Sequence, residues 1–202
     1  MVRIGVLALQ GDFAAHAGML RDAGAETCEV RLPGRLDEID GLVLPGGEST
    51  TLLNLMADAP WFDALRRFHE RGGALFGTCA GAILLAREVR GPAQPSLGLL
   101  DAVIERNAYG RQIDSFEARL DVAGDDAPLP AVFIRAPRFH EVGRDVEVLA
   151  RFAGRPVLVR QGRILAGTFH PELTGDCRLH RRFVDLARAA ARDSAHTTEA
   201  SC

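Results

Sequence analysis

The sequence predicts an α/β protein of three layers, a mostly parallel central sheet with helices on both faces and some antiparallel strands. Three observations predict it. Arg3 to Leu9 is a near-continuous apolar run, as a strand buried on both faces requires. Short apolar strands alternate with helical stretches through the first third of the chain, the pattern of crossovers that cover a parallel sheet. Later, Ser115 to Val122 alternates polar and apolar residues, which marks a strand with one wet face in antiparallel pairing.

The elements follow in order. After the first strand, Asp12 starts a helix with Phe13, Ala17 and Leu20 on one face and Gly24 near its end. A strand covers Glu26 to Leu32, and another, Gly41 to Leu44, runs into Pro45-Gly46-Gly47-Glu48-Ser49-Thr50. A helix from Pro60 to Arg71 stops at Gly72-Gly73. Ala74 to Phe76 is a strand, followed at once by Gly77-Thr78-Cys79-Ala80-Gly81 and a helix through about Arg87. Ala131 to Arg135, Val146 to Phe152, Pro156 to Arg160 and Arg163 to Phe169 are strands, the last two joined by a tight turn at Gln161-Gly162. Leu179, Phe183, Leu186 and Ala190 share one face of a closing helix, and residues after about Asp193 read as a frayed tail. The length of 202 residues fits a single domain, drawn at 1–192 with the tail at 193–202.

Composition narrows the function. With 47% hydrophobic and 25% charged residues the chain is not disordered, and its apolar runs are too short to span a bilayer. A net charge of −3 gives no reason to expect nucleic acid. The N-terminus reads as a first strand rather than a signal peptide. All 24 cations are arginine, so the chain has no lysine to form a Schiff base with a carbonyl substrate. Cys28, Cys79, Cys177 and Cys202 have neither zinc spacing nor a Cys-x-x-Cys motif and read as reduced cytosolic thiols, with core packing or tail exposure the default for all but Cys79.

Cys79 is the candidate nucleophile. A Gly-x-Cys-x-Gly segment between strand and helix resembles a nucleophile elbow, where flanking side chains would collide with neighbouring strands and the helix N-terminus favours a thiolate. A thiol needs a base, and the base needs an orienting group. His16, His69 and His180 fall on predicted helices, as solvated or boundary positions, and His196 lies in the tail. His140 and Glu141 are adjacent, so in an extended chain they point to opposite faces. His170-Pro171-Glu172 follows a strand at the sheet edge where sites open, and an i, i+2 pair can share a face there. Glu172 would then accept from one imidazole nitrogen while the other faces Cys79. Pro45 to Thr50 should reach the same edge; its double glycine either aims an N–H at an oxyanion or simply turns the chain, with Ser49 or Thr50 capping the next helix.

Pro-Gly-Gly-Glu-Ser, Gly-Thr-Cys-Ala-Gly and Phe-His-Pro-Glu-Leu together resemble the class I (triad) glutamine amidotransferases, and among them the glutaminase subunits of pyridoxal 5′-phosphate synthases. Leu9-Gln10-Gly11, Glu105-Arg106-Asn107, the segment from Gly110 to Glu117, and Phe133 to Pro137 extend the likeness over nearly the whole chain. The resemblance implies catalytic roles for Cys79, His170 and Glu172, an oxyanion hole from the N–H groups of Gly47 and Ala80, and glutamine binding by Gly47, Glu48, Ser49, Arg106, Ile134 and Arg135. It implies hydrolysis of L-glutamine to glutamate and ammonia, no cofactor and no metal, and, as partner, a synthase subunit (PdxS) that receives the ammonia. The imine chemistry of that partner uses lysine, which this chain lacks. The last dozen residues, the absence of lysine and Arg138-Phe139-His140 depart from the family pattern. The competing readings are a cysteine hydrolase with another substrate and a silent binding subunit.

Overall fold

A computed structural model describes residues 1–106 and 115–199, with side chains to residue 192. Its main sheet has seven strands. Five are parallel and adjacent: β1 (Arg3–Leu7), β2 (Glu26–Val30), β3 (Gly41–Leu44), β4 (Ala74–Thr78) and β12 (Ile164–Gly167), in the spatial order β12-β4-β3-β1-β2. At the β12 edge, β11 (Arg155–Gln161) and β10 (Glu147–Phe152) continue the sheet antiparallel.

Strand periodicity sorts the core into two halves. On one face Ile4, Val6, Val43, Phe76 and Leu165 pack with Leu20 of α1 (Phe13–Asp22) and with Leu179, Phe183 and Ala187 of α5 (Arg178–Glu199). On the other, Leu7, Leu42, Leu44 and Leu75 meet α2 (Ser49–Met56), α3 (Trp61–Glu70) and α4 (Ala80–Leu85), through Leu52, Trp61, Phe68 and Ile83. Successive residues of one strand thus serve opposite cores, the physical reason for the near-continuous apolar runs.

Two smaller sheets flank this frame. β7 (Ser115–Leu120) and β8 (Leu129–Ile134) form an antiparallel hairpin. The burial of β7 alternates as its sequence predicts, with its partly covered Phe116 stacked on Phe133 of β8. A three-stranded sheet of β5 (Ala86–Arg90), β6 (Leu100–Glu105) and β9 (Arg138–Val142) was not anticipated. The helix expected to run to about Arg87 ends at Leu85, and the chain enters β5 at the next residue.

Other expectations are also corrected. The closing helix continues to Glu199, past the point where a frayed tail was expected. Its buried face is Leu179, His180, Phe183, Val184, Ala187 and Ala190, with Leu186 only half-buried. His140 and Glu141 do not point to opposite faces. A register shift in the β6–β9 pairing leaves both exposed, with His140 Nε2 3.7 Å from Glu141 Oε1.

Candidate active site

Parallel strands deliver the site. β3, β4 and β12 are neighbours running the same way, so the segments leaving their C-terminal ends meet at one edge of the sheet. Those segments carry Gly46-Gly47, Cys79 and His170.

Cys79 sits at the junction of β4 and α4 with φ 49° and ψ −103°, a conformation that costs a non-glycine residue about 1–3 kcal/mol and persists only where its surroundings impose it. Here the Cys79 N–H donates to the Gly167 carbonyl of β12 at 2.8 Å, and its own carbonyl accepts from Ile83 at 3.2 Å. Both glycines of the elbow are sterically required. A Cβ on Gly77 would stand 2.6 Å from the carbonyl carbon of Gly81, and one on Gly81 would collide with the backbone carbonyl of Leu44 on β3. The Gly81 obstacle is the neighbouring strand, as the sequence suggests, whereas the Gly77 obstacle is the helix itself. Because α4 has only six residues, its dipole is that of less than two turns, weaker support for a thiolate than the longer helix expected.

His170 is pinned by its backbone N–H, which donates to Val132 of β8 at 2.8 Å. Its Nδ1 lies 2.8 Å from Glu172 Oε1, and the imidazole also hydrogen-bonds the Cys79 side chain. Burial lowers the basicity of this imidazole, but its hydrogen bonds to Cys79 and Glu172 outweigh burial and raise its pKa to about 10. At neutral pH the ring is therefore an imidazolium. Pro171 opens a short 3-10 turn that carries Glu172 back beneath the ring.

Cys79 and His170, with Glu172 buried behind the imidazole, face a cavity of about 250 Å³ lined also by Gly47, Glu48, Ser49, Arg106, Ile134 and Arg135, together with Ile83 and Pro137. β8 delivers Ile134 and Arg135, the latter at φ 42°, and Arg106 follows β6. The Arg106 Nη2 lies 3.3 Å from Glu48 Oε1 and 3.1 Å from Thr50 Oγ1. Glu48, rather than Ser49 or Thr50, caps α2: its carboxylate accepts from the N–H groups of Thr50 at 3.1 Å and Thr51 at 2.6 Å. Partial burial raises its pKa, but those hydrogen bonds overcome the effect and bring it to about 2. Ser49 Oγ donates to Gln94 Oε1 at 2.9 Å.

The double glycine is tightly held. Gly47 has φ 139°, and a Cβ on Gly46 would run into the His170 ring. The Gly46 carbonyl oxygen is packed against Gly11, so in a trans peptide the Gly47 N–H points away from Gly11. Glu48 N–H donates to Gln10 Oε1 at 3.3 Å. Ala80 is the first residue of α4, where a backbone N–H has no partner within the helix.

A strand–elbow–helix cysteine, a histidine with a carboxylate behind it, and a cavity holding both charges constitute an acyl-transfer arrangement. A model of the SNO glutamine amidotransferase family matches residues 6–188. The chain belongs to that family. A curated relative from Deinococcus radiodurans, the pyridoxal 5′-phosphate synthase subunit PdxT, is 57% identical over 189 residues, covering 91% of this chain and 96% of the relative. The PdxT of Thermus thermophilus is 56% identical over 91% of this chain and 97% of its own. A crystal structure described as a glutamine amidotransferase superposes with a TM-score of 0.86 at 54% identity, over 91% of this chain and 98% of that one. The structure of PurLQS from Thermotoga maritima, at 19% identity and a TM-score of 0.68 over 95% of this chain and 98% of that one, shares the fold.

Two histidines defy the sequence reading. His16 of α1 and His180 of α5 were expected at solvated or boundary positions, yet both are wholly buried. The i, i+3, i+4 spacing from Phe13 through His16 and Ala17 to Leu20 was the available signal, since it places His16 on the apolar face of α1. Cys28 and Cys177 are half-buried and, like Cys79, form no disulfide among the described residues. Asn107, the Gly110 to Asp114 part of the motif, and Cys202 lie outside the described residues.

Proposed function

We propose that this chain hydrolyses L-glutamine to L-glutamate and ammonia through a thioester on Cys79, and supplies the ammonia to a synthase subunit that makes pyridoxal 5′-phosphate. The observation that carries the reading is that Cys79 and His170 meet in the wall of one cavity, with Glu172 bonded to the imidazole from behind. The names of the relatives support the metabolic assignment.

The chemistry follows from the geometry. Glutamine carries an ammonium and a carboxylate, matched in the cavity by the Glu48 carboxylate and the Arg106 and Arg135 guanidinium groups. The Cys79 thiolate adds to the side-chain amide carbon, and the C=O electron pair moves to oxygen. Backbone N–H groups of Gly47 and Ala80 receive that oxyanion; one such donor is typically worth about 10²–10³ in rate. The intermediate collapses with cleavage of the C–N bond, and the His170 imidazolium gives its proton to the departing nitrogen. Neutral His170 then takes a proton from water, which attacks the thioester and releases glutamate and the thiolate, returning the proton to the imidazole. Glu172 orients the ring and balances its charge throughout.

The reading takes residues 1–192 as one catalytic domain and includes a cytoplasmic location, which the free thiols of Cys28, Cys79 and Cys177 favour. Among the described residues no helix is long and apolar enough to cross a membrane. The test is glutamate release from glutamine with and without a synthase subunit. Turnover that disappears in Cys79→Ala is the expected result. No release from the partner-loaded chain, or release unaffected by Cys79→Ala, contradicts the reading.

A further inference from the structure

The carboxylate of Glu172 has two oxygens, and the mechanism uses one. Oε1 meets His170, whereas Oε2 is buried with no hydrogen-bond partner among the described residues. His16 Nε2 stands 3.3 Å from Oε2, and the side chains at this contact are 0% and 1% exposed. The same nitrogen lies 3.3 Å from the Thr78 hydroxyl, one residue before the nucleophile. On its other side, His16 Nδ1 is 2.9 Å from His180 Nε2, and His180 Nδ1 has no hydrogen-bond partner among the described residues. Four separate elements, α1, β4, the turn after His170, and α5, thus meet in a polar thread through an otherwise apolar core.

A buried carboxylate oxygen demands a donor, and facing it with an imidazole lone pair would repel it. Nε2 of His16 must therefore carry hydrogen, leaving Nδ1 as an acceptor. His180 must then donate from its own Nε2, which leaves a bare lone pair on His180 Nδ1. That end of the thread fits the geometry, because an unpartnered buried acceptor is less costly than an unpartnered donor. Both rings are neutral. Burial, together with the neighbouring His180 and His170, keeps His16 well below its ordinary pKa, and burial brings His180 to about 4. One positive charge, on His170, faces one negative charge, on Glu172.

We propose that His16 and His180 are positioning residues, a pair of neutral imidazoles that present the His16 N–H edge to the second oxygen of Glu172 and so fix the carboxylate that orients His170. His16 makes the contact, and His180 locks the tautomer of His16. The proposal rests on Cys79, His170 and Glu172 as the reacting set. Loss of the N–H at position 16 frees Glu172 to rotate, so that the His170 ring is no longer held in place beside the sulfur.

The test reads the sulfur directly, without glutamine. The rate of iodoacetamide alkylation at the Cys79 peptide is followed by mass from pH 5 to 9 in the wild-type chain and in His16→Gln, His16→Asn and His16→Leu. A glutamine amide reaches the place of Nε2, whereas an asparagine amide reaches only that of Nδ1. His16→Gln should retain the wild-type profile, while His16→Asn and His16→Leu should alkylate about tenfold more slowly at pH 6. Melting curves identify variants that fold. Should His16→Leu not fold, the contrast between Gln and Asn still decides. Nitrogen-15 spectra of the wild-type histidines give a second reading, with both rings expected neutral and protonated at Nε2 from pH 6 to 8. Equal alkylation profiles for all folded variants, or an Nδ1–H tautomer at His16, overturn the proposal. Failure of the wild-type chain with its synthase subunit to release glutamate would instead overturn the proposed function, and leaves the alkylation contrast readable.

Discussion

His170 Nδ1 stands 2.8 Å from Glu172 Oε1, and the two residues are separated by a single proline. The carboxylate lies almost entirely out of solvent, so its charge acts on the imidazole with little screening. Glu172→Gln keeps the size of the side chain and removes that charge. By analogy with the tautomer-holding acid of a serine triad, kcat should fall by about 10²–10⁴ with KM little changed. The loss should be accompanied by a fall in the His170 pKa from about 10, visible by NMR, because burial would then act against one stabilising partner fewer. A kcat within threefold of wild type contradicts the role given to Glu172.

Two glycines at the site answer to different obstacles, and alanine at each should separate them. A Cβ at Gly81 meets the backbone of Leu44, which cannot move without disturbing β3, so Gly81→Ala should lower unfolding stability by about 2–3 kcal/mol. A Cβ at Gly46 meets the His170 ring, a side chain able to swing aside. Gly46→Ala should therefore fold with a smaller penalty yet lose most glutaminase activity. Urea unfolding and glutamate release, measured on both variants, check the pair.

Arg106 lines the cavity, anchored by Glu48 and Thr50. Under the proposed function, Arg106→Met removes a charge-assisted contact to the amino-acid end of glutamine while leaving the reacting groups in place. KM for glutamine should rise about 10- to 100-fold, with kcat changed much less. A steady-state titration showing the reverse split would move Arg106 from binding into the chemical step.

The buried histidine pair makes stability depend on acid. Folded His16 and His180 stay neutral at pH values where the unfolded chain protonates both near 6.5, so the unfolded state binds more protons and stability falls as pH drops from about 6.5 towards 4. Each histidine contributes a slope of up to about 1.4 kcal/mol per pH unit in that window. His180→Gln should flatten the slope by about that amount in urea titrations at pH 6.5, 5.5 and 4.5. An unchanged slope would mean that His180 titrates normally in the fold.

The features the sequence revealed most clearly were those with local causes. β3 was read residue for residue because four apolar residues end at Pro45, and the elbow was visible because only glycine fits on either side of Cys79. Asp12 announced its helix by capping it, accepting from the Ala15 N–H at 3.1 Å. What stayed hidden depends on distant partners. Ala86–Arg90 has the composition of a helix end, and only pairing with Leu100–Glu105 makes it a strand. His16 and His180, 164 positions apart, look like ordinary helical histidines until α1 and α5 close over Phe76. Glu48 was recognisable as a pocket acid by resemblance, but its capping of α2 shows only in the structure, where its carboxylate accepts from the Thr50 and Thr51 N–H groups.

The central claim is that the Cys79 sulfur, activated by His170, attacks the carboxamide of glutamine. Incubation of the chain with an electrophilic glutamine analogue, followed by peptide mass mapping, tests it most directly. The account predicts one adduct, on Cys79, blocked by excess glutamine and greatly slowed in Glu172→Gln. Adducts confined to Cys28 or Cys177, or labelling of Cys79 that glutamine does not protect, would contradict it.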